Sequence, residues 1–465
     1  MKWIDTMQQS QTLCYLSASP WQLLRKTTAI LLPAICILLA YDLAESSVVA
    51  NTNEQLLQLY GYAQPLFVTL MAFAVALSVR TNMAMVQLVE QQNKGLFAHI
   101  RFGVFASAAV SIFLLLTLDE ILALFGLAEW LSTLSDMQYA EFTSEVMSFL
   151  TVRISTLFAL VIIWQVSSAL RALNDCWYSA LYLLLWMMCK TVGLTVLVQQ
   201  GEPHLLSSLG ELHAFVDVLF AAIGLSLVYI RHKPSLFASD KAVNGNLDTV
   251  LIIGQQVMPA CSLALLTYIA SQFDAAFIAV FALTFKIEAL ALLIPMVLTA
   301  SLPAIVGVNY WSSNKKRAVS ILKSAFYLII AMQCVIAVLL YLFQSQLFAG
   351  ICPDCQQITL LKNFIQFLPI SYVGLGMAMA YVSCLNAMGK SKQGMVFLAF
   401  HRLLLIPVLA VLGLNLLGNL GLFIGLAVSH LVMGGFVFYQ ITVVYSRSSD
   451  EQNDMAQLDL QTEKI

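Results

Sequence analysis

The sequence predicts an all-α polytopic membrane protein, with twelve transmembrane helices in two pseudo-symmetric six-helix bundles. Three observations carry that reading. Hydrophobic residues make up 60% of the 465-residue chain and charged ones 10%, and the mean hydropathy is +0.84. A water-soluble fold of this size would have to expose very large apolar patches. Second, apolar runs between charged or Gly/Pro-rich breaks reach the ~20 residues that a bilayer helix needs. Third, Lys and Arg collect in alternate loops, as cytoplasmic loops do. The net charge of -2 adds nothing, because in a membrane protein the placement of charge matters rather than its sum.

In chain order the expected spans are 27–47, 60–82, 102–125, 146–169, 178–199, 211–231, 249–271, 276–308, 322–346, 361–384, 395–415 and 419–443. Residues 1–20 contain Asp5 and a Gln/Ser/Thr-rich stretch with no basic segment leading into an apolar core, so the first run reads as helix one rather than a cleavable signal. With the N-terminus inside, the cytoplasmic segments hold Arg25 and Lys26, then Lys94 and Arg101, Arg171, then Arg231, Lys233 and Lys241, then Lys315, Lys316 and Arg317, then Lys390 and Lys392, and last Arg447. The outward loops around Asp136, Glu202, Asp274, Asp354 and Leu416 hold almost none, Lys362 being the exception. Both termini are therefore expected in the cytoplasm.

The longest polar interruption runs from Arg231 to Asp248. It divides the chain into an N-terminal bundle (1–235), a cytoplasmic linker (236–247), a C-terminal bundle (248–445) and a polar, acidic tail (446–465). Internal echoes support two halves. Leu170-Arg171-Ala172-Leu173-Asn174-Asp175 follows the fourth span, and Leu385-Asn386-Ala387-Met388-Gly389-Lys390 follows the tenth. Met85-Val86-Gln87 ends span two as Val306-Gly307-Val308-Asn309 ends span eight. Parallel repeats of this kind imply bundles related by an axis along the membrane normal, with a substrate site between them.

Charges inside the spans are the functional candidates, since each costs at least ~2.5–3.5 kcal/mol without a partner or water. Lys286-Ile287-Glu288 lies within the eighth span. Two residues along a helix is about 200° of rotation, so these side chains point apart and each needs its own partner. Asp42 and Glu45, three apart on helix one, share a face. Two readings stay open for them: a partly dry cavity, in which a carboxylate loads and releases a proton, or the wet outer end of the helix. Asp217 on helix six either lines the first bundle's cavity or bonds a neighbouring helix. Arg80 and Arg153 read as snorkelling side chains. Pro33, Pro65, Pro259, Pro295 and Pro369 fall inside spans and kink them. Among nine cysteines, Cys352 and Cys355 form a CxxC in an outward loop and are read as a local disulfide. A lone CxxC lacks the second ligand pair of a structural zinc, so no metal site is expected.

Ala282-Leu283-Thr284-Phe285-Lys286-Ile287-Glu288-Ala289-Leu290, then Pro295, then Pro303 through Asn309, then Lys316-Arg317-Ala318, resembles the eighth-helix signature of multidrug and toxic compound extrusion (MATE) transporters. The likeness is closest to the DNA-damage-inducible branch. Leu385 to Lys392 resembles the family's L-Q-A-x-G-x-x-K turn, and Arg402 through Pro407 a further family motif. The resemblance implies a twelve-helix exporter that alternates between inward- and outward-facing states and expels small organic molecules, cationic ones among them, against a proton or sodium gradient. It places the coupling acid at Glu45, with Asp42 one turn earlier. Where the family carries an Asn and then an Asp on helix five, this chain has Lys190 and no acid. Lys190 either pairs with Glu45 or Asp42 or snorkels to a membrane surface. The resemblance also sets Lys286 where the family has an arginine facing the cleft, and turns Glu288 into the second bundle. Beyond H+ or Na+ no cofactor is implied. The expected setting is the bacterial inner membrane, as a monomer in the lipid bilayer with no nucleic-acid partner. The alternative is a flippase of lipid-linked sugars from the same superfamily, which calls for a cluster of several basic residues in the cavity. No HExxH or GxSxG motif appears, and an enzyme is not expected.

Overall fold

The computed structural model describes residues 15–52, 54–87, 95–124, 136–201, 204–233, 246–271, 284, 287–351 and 358–444. Among these, every regular element is helical. In chain order they are α1 Pro20–Thr52, α2 Glu54–Gln87, α3 Leu96–Leu116, α4 Leu118–Leu124, α5 Asp136–Ser155, α6 Leu157–Ala172, α7 Cys176–Gln200, α8 Leu205–His232, α9 Asn246–Ser271, α10 Leu293–Trp311, α11 Lys315–Leu342, α12 Gln344–Ile351, α13 Ile358–Ala387, α14 Ser391–Ala399 and α15 Ile406–Tyr439. Lys286, Cys352, Cys355, residues 236–245 of the expected linker and the tail 446–465 lie outside the described residues. Nine of the described helices are long and apolar enough to cross a membrane, or ten if the pair Thr143–Ser155 and Leu157–Ala172, bent by 45°, counts as one. The chain is a multi-pass membrane protein.

The helices form two compact units, one of Pro33–Ala260 and one of Met1–Leu32 with Cys261–Ile465. The boundaries fall inside α1 and α9, next to the interior prolines Pro33 and Pro259. In the first unit α6 is the centre: nearly every side chain from Leu157 to Ala172 is buried, and α2, α3 and α8 pack on it. The bend between α5 and α6 sits at Thr156, whose hydroxyl donates back to the Val152 carbonyl at 2.9 Å.

The two echoed segments fold alike. After α6, Asn174 takes φ 63° and the Asp175 N–H donates to the Leu170 carbonyl; after α13, Gly389 takes φ 73° and the Lys390 N–H donates to the Leu385 carbonyl, both at 2.8 Å. In each, the next inner bond is also made, from Asn174 to Arg171 and from Gly389 to Asn386. This double closure is the left-handed cap that satisfies a helix's last carbonyls. Asp175 then locks its turn to the end of α8, accepting from Arg231 at 2.8 and 3.1 Å and from the His232 ring at 2.9 Å. Burial pushes the Asp175 carboxyl up, but the hydrogen bonds from His232 and Arg231 outweigh it and hold the group below its ordinary value.

In the second unit α13 is central, packed against α10, α11 and α15 around Phe364, Tyr372, Leu375, Leu422 and Phe423. The expected spans 395–415 and 419–443 form one helical run that reverses at Gly418, where φ is 62° and ψ is -146°. Only glycine takes such a conformation without strain. A Cβ on Gly413 would strike the Gly421 carbonyl, and one on Gly425 would strike the Leu409 carbonyl, so the two arms pack backbone to backbone as an antiparallel hairpin. A π-helical stretch at Phe400–Leu405 precedes it. There the Ile406 N–H donates to the His401 carbonyl, five residues back. Pro407, next in that register, has no N–H, and the Ser262 hydroxyl takes its place on the Arg402 carbonyl at 2.9 Å.

Candidate functional site

The first unit contains a buried polar cluster built from pairs spaced one helical turn apart. Tyr41 and Glu45 lie on one face of α1, Trp186 and Lys190 on one face of α7, and His213 and Asp217 on one face of α8. Arg153 enters from the last turn of α5. At the centre, Asp217 accepts from Trp186 Nε1 at 2.7 Å and from Arg153 at 3.1 Å, and its Oδ1 lies 2.8 Å from Lys190 Nζ. The Lys190 and Asp217 side chains are 4% and 1% exposed, Arg153 14%. Lys190 Nζ also stands 4.5 Å from the Trp186 ring, and Trp164 meets that ring edge-on. Charges this deep persist because each has a counter-ion and donors around it.

One turn away, His213 Nε2 lies 3.0 Å from Glu45 Oε2 and 3.3 Å from the Tyr41 hydroxyl. Glu45 is 6% exposed and His213 4%. His213 Nδ1 has no partner among the described residues. The contact therefore assigns the ring proton to Nε2, donated to the carboxylate. Asp42, one turn back on α1, is solvent-accessible and within electrostatic reach of Glu45, Lys190 and Arg153.

Several expectations change here. Arg153 is paired inside the unit rather than snorkelling, and Arg80 is 8% exposed, bonded to His99 at 3.1 Å and set 4.0 Å over the Phe102 ring. Lys190 binds Asp217 on the adjacent helix, while Glu45 takes His213. The physical reason is the short α7–α8 connection: residues about equally far from the helix ends Gln200 and Leu205 face each other, as Gly193 meets Leu212 and Gly224 meets Tyr182. Lys190 and Asp217 obey the same register. His213 and Trp186 were missed; the one-turn spacings Trp186/Lys190 and His213/Asp217 would have found both.

The second unit has its own buried cluster. Glu288 accepts from the Tyr372 hydroxyl at 3.3 Å and lies within electrostatic reach of Arg402. The Tyr372 and His401 rings flank His430 at 5.9 and 5.7 Å, and the Ser371 hydroxyl lies 3.1 Å from His430 Nδ1. Glu288 thus bonds within its own unit.

The family model MatE matches residues 252–411 of the chain. Solved structures share the fold along nearly the whole length. A MATE transporter from Vibrio cholerae, VcmN, superposes with a TM-score of 0.83 at 18% identity over 96% of this chain and 98% of that one. A multidrug resistance MATE family transporter in an outward-facing conformation gives 0.83 at 15% identity over 93% and 98%. Among curated proteins, an FAD transporter from Shewanella oneidensis is 27% identical over 166 residues, which span 36% of this chain and 37% of that protein. The chain has the fold of a MATE family transporter.

Proposed function

We propose that this chain is a MATE-family secondary transporter that exports organic compounds across the bacterial inner membrane by alternating access, in exchange for H+ or Na+. The helix-eight signature Ala282–Leu290 supports a place in or near the DNA-damage-inducible branch. The observation that carries the reading is the charge balance of the buried cluster. Asp42, Glu45 and Asp217 face two basic side chains, Arg153 and Lys190, while His213 donates to Glu45. By count the cluster carries one more formal negative charge than it has basic side chains.

A proton, a sodium ion or a cationic substrate each satisfies that charge. Asp217 pairs with both Arg153 and Lys190, and the helix-one carboxylates share their field. Asp42 is the accessible member and Glu45 the held one, so a cation arriving at Asp42 competes for the same field as the cation leaving Glu45. That competition is what exchange requires: binding of one partner must weaken binding of the other. The test is uptake of a fluorescent cationic dye into inverted vesicles under an imposed pH gradient and, separately, an imposed sodium gradient. Uptake driven by one gradient supports the proposal, and no uptake above protein-free vesicles under either overturns it.

A second reading concerns the substrate. The Shewanella relative is an FAD transporter. Arg153 and Lys190 are groups that pair with phosphate, and in this reading a flavin dinucleotide draws them from Asp217. Flavin fluorescence accumulating in the same vesicles, with dye excluded, would select it. Lipid-linked sugar flipping ranks third, because it calls for a cluster of several basic residues and the described cluster holds two, Arg153 and Lys190.

A further inference from the structure

Histidine can give a proton at one ring nitrogen while taking one at the other. His213 is placed to do so. Its Nε2 lies 3.0 Å from Glu45 Oε2 and 3.3 Å from the Tyr41 hydroxyl, while its Nδ1 has no hydrogen-bond partner among the described residues. A buried acceptor left without a donor is costly and calls for a reason. The Tyr41 ring stands nearly perpendicular to the imidazole at 5.8 Å, which fixes the ring against Glu45. Within electrostatic reach of the ring are Glu45 on α1, Arg153 on α5, Lys190 on α7 and Asp217 on α8 itself, with Asp42 one turn from Glu45. The α6 helix, which also packs on α8, carries a single charge, Arg171, in its last turn. The acid in hydrogen-bond contact with the ring is Glu45.

Tyr41, His213 and Glu45 are 2, 4 and 6% exposed. A sodium ion entering here needs room, and a shell of oxygen atoms in place of its water. Beside Glu45 Oε2 it meets the positive hydrogen of Nε2–H and an imidazole ring, and a hard cation prefers oxygen to nitrogen. A proton needs neither room nor shell. It enters the pair without moving a heavy atom: Nδ1 takes the proton, the imidazolium passes its Nε2 proton to Glu45 Oε2, and the neutral ring keeps its hydrogen on Nδ1. Glu45 is then a carboxylic acid whose O–H donates to the bare Nε2 across the same 3.0 Å. One proton has entered, one carboxylate is neutralised, and the ring's charge is unchanged.

We propose that His213 selects the coupling ion: it makes the helix-one site take a proton rather than sodium, receiving that proton at Nδ1 and handing its Nε2 proton to Glu45. The inference rests on the reading that a cation exchanges at the helix-one carboxylates, and it names the cation and the residue that chooses it. Because His213 acts through Glu45, its part is separable from mere positioning. A glutamine at 213 still offers an N–H to Glu45, but it cannot take a proton on one side and release another on the other.

The test uses the full chain purified in neutral detergent and needs no transported substrate. Thermal midpoints of wild type in sodium chloride and in potassium chloride at equal ionic strength should agree within about 1 °C, because only a cation that binds the folded protein raises the midpoint. His213→Gln brings an amide oxygen to Glu45 and should melt at least about 3 °C higher in sodium than in potassium, a gain that H213Q/E45Q loses. Infrared difference spectra of wild type between about pH 8 and pH 5 should show a carboxylic acid band that E45Q lacks. With it should come a change of one histidine from the Nε2–H to the Nδ1–H tautomer, which both E45Q and H213Q lack. A sodium-specific gain in wild type that E45Q abolishes would overturn the proposal. So would H213Q without a sodium gain, or a Glu45 acid band with no change in the histidine ring. Where H213Q fails to fold, the wild-type and E45Q measurements decide. Dye uptake separates the two levels of the reading: wild type that gives these signals but moves no dye keeps the proton pair and loses export, and wild type that moves dye without them keeps export and loses the pair.

Discussion

Replacing Asp217 by Asn tests the buried cluster most directly. The amide can still accept the Trp186 N–H at 2.7 Å, so shape and that hydrogen bond survive. What disappears is the charge that faces Lys190 at 2.8 Å and Arg153 at 3.1 Å. With Lys190 only 4% exposed, water cannot replace it. Removing one member of a buried ion pair costs about 3–5 kcal/mol, because the remaining charge is stranded. At about 2–4 °C per kcal/mol for 150–250 residues, a unit the size of Pro33–Ala260 should melt about 6–20 °C lower. The assay is a thermal scan of the detergent-purified protein by tryptophan fluorescence, repeated on Lys190→Met and on D217N/K190M. The double variant should recover about 1–3 kcal/mol relative to the sum of the single changes, since it removes the stranded ammonium as well. A D217N midpoint within about 2 °C of wild type, or strict additivity, would refute the claim that these two groups neutralise each other in a dry site.

Three further outcomes follow from the same structure. Asp42→Asn with Glu45→Gln should lower gradient-driven uptake at least tenfold while expression and melting stay near wild type; unchanged uptake would remove both carboxylates from coupling. Asp175 is held below its ordinary value, so its contribution to stability is complete above the unfolded value of about 4 and is lost as pH falls through the lower folded value. Melting of wild type should drop more steeply between about pH 5 and 3 than that of Asp175→Asn, and parallel acid limbs would refute the assignment. Gly413→Ala sets a methyl group against the Gly421 carbonyl and should destabilise by about 1–3 kcal/mol, read by the same scan; a neutral result would mean that the hairpin opens without cost.

The fold was legible because a bilayer enforces a simple grammar. Apolar length marked helices such as α7 and α8, which run Cys176–Gln200 and Leu205–His232 against expected spans of 178–199 and 211–231. Gly418 punctuated the last two expected spans, and the LRALND and LNAMGK echoes turned out to be one turn used twice. Pairing was legible only in part. Periodicity states which residues share a face of one helix, as it did for Asp42 and Glu45, but it does not say which helix that face meets. For Lys190 the sequence therefore leaves two readings, a pair with the helix-one acids or a snorkelling side chain, and neither names Asp217. Chain geometry decides otherwise: the short connection between Gln200 and Leu205 makes α7 and α8 antiparallel neighbours, and Asp217 is the acid opposite Lys190 in that register. Once Lys190 and Arg153 are engaged there, Glu45 must find its donor elsewhere, and His213 sits one turn from Asp217 on the same face of α8. A single helix thus presents an acceptor to Lys190 and Arg153 and a donor to Glu45, so any rotation of α8 alters both pairings together.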